Sequence, residues 1–243
     1  MDQYLAVLDH PDYSAALNGL QVAGPDEVSR VATAVDASEA SIRAAVDQGA
    51  HLLIVHHGLF WDGLQPVVGR HYRRIEALIA GGVALYSCHL PLDSHAEIGN
   101  CALLGRAMGL DLEGRFGAYK GVDIGWWGRF SEPTDLDGLV ERFEEAAGTS
   151  VHPIAGGPDL IERVGIITGE GGSFIREASA LGLDALVTGE GSHHNYFDAM
   201  EDEIHVLFGG HYATETFGVR ALGDHIAERF GLESEFIDQP TGL

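Results

Sequence analysis

Imidazoles and carboxylates recur in this sequence just behind apolar, strand-like runs. His56-His57 close the run LLIVHH, His89 and Asp93 follow VALYS, and His211 and Glu215 follow IHVLF after a Gly-Gly pair. Imidazole plus carboxylate is the donor set of Zn²⁺, Mn²⁺, Fe²⁺ or Ni²⁺ sites. One catalytic ion takes about three protein ligands and a water. The donors gathered at these strand ends exceed that and fit two ions. A carboxylate shared between cations roughly 3.5–4 Å apart holds a water that loses its proton near neutral pH and becomes a nucleophile. Both histidines of the His56-His57 pair can reach one site only if the strand has ended and the chain has turned, because neighbours on a strand face opposite ways.

A further cluster, TGEGSHH (Thr188–His194), places Glu190 before His193 and His194. Glu190 suits a general base or an outer-sphere partner of a ligand histidine. Together with His89, the residues Glu190, His193 and His194 are the candidates for proton transfer. The GEGG stretch Gly169–Gly172 reads as a tight turn; it lacks the lysine of a phosphate-binding loop. No G-x-S-x-G nucleophile elbow occurs. Trp126 and Trp127 read as packing residues.

The elements that must carry these groups alternate in kind. Val31–Val35, Leu52–Val55 and Val83–Ser87 read as strands. Ser38–Gln48, Tyr72–Ala80, Ile98–Met108 and Leu136–Ala147 read as helices, with Ser38 as an N-cap and Gly49, Gly81-Gly82, Gly109 and Gly148 as stops. Pro91 argues against a helix across His89–Asp93 and for a loop. His211 and Glu215, four apart, share one face of a helix running on to Phe230. The alternation predicts an α/β fold.

The second half repeats the first. Arg30–Gly58 and Arg163–Gly191 are the same length and agree at Arg30, Val31, Ile42, Arg43, Ala45, Gly49, Leu53 and Gly58. In that alignment Gly189-Glu190 stand where His56-His57 stand. The repeat implies two fused, internally duplicated α/β units. The boundary is expected near Gly148–Asp159, giving residues 1–150, with His56, His57 and Asp93, and residues 151–243, with Glu190, His211 and Glu215.

The 243 residues include 14 Lys plus Arg against 37 Asp plus Glu, a net charge of −23. Such a surface repels phosphate backbones and argues against nucleic-acid partners. No apolar run reaches the roughly 18–20 residues of a membrane span, no secretory signal is visible at the start, and the two cysteines, Cys88 and Cys101, fit a reducing compartment. A cytoplasmic location is expected. Lys120 is the single lysine. Scarce lysine with abundant acid suits a salt-rich interior, where screening relieves self-repulsion among carboxylates. Thermal melts across a KCl series should therefore show stability rising with salt; full stability in low salt overturns this reading.

The stretches NGLQVAG (Asn18–Gly24), VHHGLFW (Val55–Trp61), HLPLD with a following GN (His89–Asn100), TGEGSHH and GHYATE (Gly210–Glu215) together resemble the Nif-three-like family, also described as GTP cyclohydrolase I type 2 homologs. The resemblance spans nearly the whole chain. It implies two intertwined α/β/α units with mixed sheets and a toroidal homohexamer. It also implies a dinuclear metal centre ligated by His56, His57, Asp93, His211 and Glu215, with Glu215 bridging and His89 nearby in the pocket. Relatives have a longer opening segment where Ala15-Ala16-Leu17 stands here, so a truncated start or a shortened opening helix is expected. The interval from Lys120 to Pro153 leaves no room for the inserted middle domain of longer relatives. The activity implied is metal-dependent hydrolysis of a small nucleotide or related heterocycle by a metal-bridging hydroxide. The alternative is a non-catalytic protein for metal storage, delivery or scaffolding.

Overall fold

Apolar runs that are buried on both faces read as parallel strands, and both halves of this chain are built around them. The computed structural model describes residues 1–61 and 63–243. They form two compact units, Met1–Leu92 with Gly218–Gln239 and Asp93–Phe217 with Pro240–Leu243.

In the first unit, β1 (Gly19–Val22) is antiparallel to β4 (Ala84–Ser87), while β2 (Arg30–Asp36), β3 (Leu52–His57) and β4 run parallel. A later strand, Glu233–Phe236, adds in parallel beyond β2. Helix α1 (Glu39–Asp47) connects β2 to β3. Its start is fixed by a capping box: the Ser38 hydroxyl accepts from the Ser41 N–H and the Ser41 side chain answers at the Ser38 N–H. Helix α2 (Gly69–Gly81) ends at Gly82 in the left-handed conformation. Ala34, Ile42, Leu53, Val55, Leu78 and Leu85 are buried together as this unit's core. Each such large side chain contributes about 1.5–3 kcal/mol.

Where the chain passes from one unit to the other it forms α3 (Leu90–Asp93), one helical turn in place of the loop that the sequence predicts. Pro91 falls within that first turn, where its missing N–H needs no intrahelical partner.

The second unit continues with α4 (Asn100–Ala107), β5 (Asp111–Tyr119), β6 (Val122–Thr134), α5 (Leu136–Ala147), β7 (His152–Ile154), β8 (Ile161–Glu170), α6 (Ile175–Ala180), β9 (Ala185–Glu190), α7 (Asn195–Glu201), β10 (His205–Phe208) and α8 (His211–Thr214). Its sheet is ordered β5-β6-β8-β9-β10-β7, with β8, β9 and β10 parallel and the remaining pairs antiparallel. Cys101, Leu104, Leu139, Phe143, Val164, Ile166 and Val187 form its core. Arg115 lies over the Trp126 ring and Arg163 over Trp127, so both tryptophans pack, as their sequence context suggests. Helix α9 (Thr216–Phe230) and β11 (Glu233–Phe236) return the chain to the first unit.

The duplication is thus visible as topology: β2-α1-β3 then β4 in one sheet, β8-α6-β9 then β10 in the other. Both sheets are mixed. The division differs from the one expected at residue 150. The reason is strand pairing: β6 hydrogen-bonds to β8, which draws residues after Leu92 into the second unit. The predicted single helix from His211 to Phe230 is interrupted at Glu215, whose φ of −105° and ψ of 7° separate α8 from α9.

Candidate metal centre

Parallel strands deliver the residues at their C-terminal ends to one edge of their sheet, where open α/β sheets bind ligands. In the first unit this edge receives His56 and His57 from the end of β3 and His89 just after β4. The strand runs through His57 as its last residue, yet the two imidazoles lie with ring centroids 4.7 Å apart. His89 lies 4.9 Å from His56 and 5.6 Å from His57, centroid to centroid.

Each of these histidines has its Nδ1 facing an acceptor. His56 Nδ1 lies 3.0 Å from the Cys88 carbonyl, His57 Nδ1 2.9 Å from Asp36 Oδ1, and His89 Nδ1 2.8 Å from Asp12 Oδ1. A carbonyl or a carboxylate cannot donate, so a proton sits on Nδ1, and in the neutral ring the lone pair is on Nε2. Asp12 is itself a held carboxylate. It accepts from Asn18 Nδ2 at 2.7 Å and from the Leu90 and Tyr13 N–H groups. Burial favours its neutral form, but His89 and these donors outweigh burial and hold its pKa below the usual value. The ring of Trp61 stands edge-on to His89 and His57.

The second unit assembles its own donors. The ladder from β10 to β9 continues through Gly209 N–H to the Thr188 carbonyl and Gly210 N–H to the Gly189 carbonyl, and sets His211 at the start of α8. His211 Nδ1 lies 2.8 Å from Glu190 Oε1, and its Nε2 lies 3.1 Å from Glu215 Oε2. Burial pulls the imidazole pKa down, but the Glu215 and Glu190 carboxylates outweigh it and push it up to about 9. Glu190 therefore holds the Nδ1 side of the His211 ring. Asp93, buried, accepts at Oδ1 from Asn100 Nδ2 at 2.8 Å and from Thr168 Oγ1 at 3.2 Å. Two donors on one oxygen fix the orientation of that carboxylate. His193 and His194 are exposed at the start of α7, His193 edge-on to Phe197.

Two glycines explain why the second half differs from the first. Gly189 aligns with His56, and a Cβ there would lie 2.8 Å from His211 Cα and 2.7 Å from Thr214 Oγ1. Any side chain at that position would push α8 away. Gly169, at φ +64°, cradles Glu215: a Cβ would lie 2.2 Å from Glu215 Oε1 and 3.2 Å from His211 Nε2.

The donor chemistry fits divalent metal in both units. Imidazoles whose Nδ1 is held by a carbonyl or a carboxylate are the arrangement that orients metal-ligating histidines. A buried carboxylate beside such a nitrogen needs positive charge. Asp12, Asp36 and Thr168 were not found by sequence reasoning; Gly169 was read only as part of a tight turn and Asn100 only as part of a motif. Only Asp36, a carboxylate closing the strand run VATAVD, carried a visible signal. Among the described residues no helix is long and apolar enough to cross a membrane.

A family model, Duf34/NIF3 (NGG1p interacting factor 3), matches residues 8–242. The chain is 47% identical to a protein of Halobacterium salinarum named GTP cyclohydrolase 1 type 2 homolog, across 98% of this chain and 95% of that one. A Deinococcus radiodurans protein of the same name is 42% identical, across 100% and 92%. Among solved structures, protein ybgI, described as of unknown function, superposes with a TM-score of 0.93 at 37% identity, covering 100% of this chain and 96% of that one. TTHA1606 from Thermus thermophilus gives 0.89 at 42%, with the same coverages. With that coverage and identity, the chain belongs to the Duf34/NIF3 family.

Proposed function

We propose that this protein holds two divalent ions through His56, His57, Asp93, His211 and Glu215, with Glu215 shared, and hydrolyses a small nucleotide or related heterocycle. The observation that carries the reading is the backing of the imidazoles: His56, His57 and His211 each present Nε2 while Nδ1 is held by a carbonyl or a carboxylate. Bound there, the ions supply Lewis acidity and a water acidified toward neutral pH. The chain's own residues do the rest. Asp36 and Glu190 hold the His57 and His211 rings in place, and Asn100 and Thr168 orient Asp93. His193 and His194, exposed after β9, and the exposed carboxylate of Glu190 are the candidates for proton transfer. The substrate class rests on the names of the relatives, GTP being the nucleotide those names contain. The family resemblance likewise supports a homohexamer, and the acidic, lysine-poor composition supports a cytoplasmic setting.

The test couples metal content to turnover. Purified protein should carry close to two divalent ions per chain by elemental analysis and should turn over a member of a nucleotide panel. Glu215→Ala should hold at most one ion and lose turnover. Protein with readily exchanged metal and no turnover on any nucleotide or phosphoester would instead be a metal carrier.

A further inference from the structure

We propose that Arg70, Arg73 and Arg74 of α2 form a recognition site for an oligophosphate, the phosphate chain of a nucleotide, at the edge of the first unit's sheet. Three of the chain's 14 Lys and Arg residues stand within these five positions, in a protein of net charge −23. At i, i+3 and i+4 they share one face of the helix. Contacts within the first unit fix where that face lies. Asp36 ends β2 and Glu39 opens α1, so Glu39 stands at the C-terminal edge of the parallel strands. Arg73 Nε donates to Glu39 Oε2 at 2.9 Å and brings the arginine face to that edge. His57 ends β3 there, and the Ala37 N–H donates to its carbonyl at 2.8 Å. The start of α2 is tied in a second way. His71 stands edge-on to Phe60 at 5.6 Å, and the neighbouring Trp61 stands edge-on to His57 at 5.7 Å.

The nearby acids do not neutralise these cations. Glu39 is shared, its Oε1 accepting from Arg43 at 2.9 Å and its Oε2 from Arg73. Glu76 accepts from the Tyr72 hydroxyl. Among the described residues no carboxylate forms an ion pair with Arg70 or Arg74. Arg74 is half-buried, and its Nε is buried with no hydrogen-bond partner. Burial first, and then the Arg70 guanidinium, pull the Arg74 pKa below its usual value, while Glu39 and Asp36 oppose them through space. A guanidinium donor left unmet in a partly dry setting is satisfied by an anionic oxygen. The planar fork of arginine matches phosphate oxygens two at a time, and several guanidiniums along one face match several linked phosphates. The first turn of α2 holds no acid, and Val68 before it supplies no side-chain cap, so the positive end of the helix adds to the same field. The rest of the molecule repels anions, and a phosphorylated substrate therefore needs compensation where it binds.

The choice of a nucleotide as ligand rests on the hydrolase reading above, and the experiment separates the two. The metal-loaded protein is titrated in a calorimeter with GTP, tripolyphosphate and guanosine at fixed KCl. Arg70→Gln/Arg74→Gln should weaken GTP and tripolyphosphate by at least about 10-fold, the value of one charge-assisted hydrogen bond. It should leave guanosine binding and metal content as in the wild type. Arg176→Gln/Arg229→Gln removes the same two charges from exposed positions elsewhere and should change phosphate affinity by less than about 2-fold, because salt screens distant charges. Far-UV circular dichroism identifies any variant that fails to fold. For that case Arg70→Gln alone, at an exposed position, should weaken tripolyphosphate by about 3-fold or more. Tripolyphosphate affinity unchanged by the arginine substitutions, or weakened equally in Arg176→Gln/Arg229→Gln, overturns this proposal and leaves the two-ion reading standing. Tripolyphosphate held through these arginines with no nucleotide turned over supports the anion site and overturns the nucleotide-hydrolase reading.

Discussion

Gly169→Ala is expected to weaken divalent-metal binding at the proposed site while leaving the protein folded. The position has φ +64°, a region where an L side chain costs about 1–2 kcal/mol. The added methyl would also stand 2.2 Å from Glu215 Oε1, so the buried carboxylate must move. Glu215 has little room for that, being 2% exposed at the break between α8 and α9. Divalent-metal affinity should fall by at least the roughly 10–100-fold that loss of a supporting partner costs. Gly148→Ala is the control. It has φ +65° and nothing within 4 Å of the added carbon, so it imposes the same backbone strain without touching a donor. It should lose about 1–2 kcal/mol in a urea titration and bind metal as the wild type does. Equal metal affinity in the two variants would falsify the assignment of Glu215 as a ligand.

The second large effect lies in the core of the second unit. Phe143, on α5, is fully buried, and its ring fills the space a side chain at Gly209 would need, with Cζ 2.3 Å from where that Cβ would stand. Gly209 precedes His211 by two residues and continues the β10–β9 ladder that sets His211 in place. Phe143→Ala should therefore destabilise by about 3–5 kcal/mol, as large-to-small core changes of this kind do, visible as a lower urea midpoint. It should also loosen His211 and weaken metal binding. Phe143→Leu keeps most of the volume and should retain most of the stability. An unchanged midpoint in Phe143→Ala would mean that the ring does not hold the end of β10.

The periodic elements and most donors were legible in the sequence because their causes are local. VATAV, LLIV and VALYS are apolar runs of strand length. Ser38 caps the helix that follows it, and Gly82 and Gly148 end theirs in left-handed conformation. The gapless repeat by itself implies two sheets of like topology, and it places His56-His57 and Glu190 at equivalent strand ends. Glu190 was legible as a partner for some histidine, but which carboxylate backs which histidine was not. Asp12 meets His89 across 77 residues of sequence, Asp36 meets His57 across 21, and Glu190 meets His211 across 21. Such pairings depend on which strands lie side by side and in what register, and no local pattern encodes that.

Residue order is enough to set the class of this chain: strands and helices in alternation, duplicated, with imidazoles and acids at the strand ends. Only the assembled sheets assign each acid to its imidazole, wind Leu90–Asp93 into a helical turn despite Pro91, and divide the chain after Leu92 rather than near residue 150. Hydrophobic periodicity and capping act over a few residues, whereas strand pairing and the packing of glycine against a distant side chain are settled only when the sheets form.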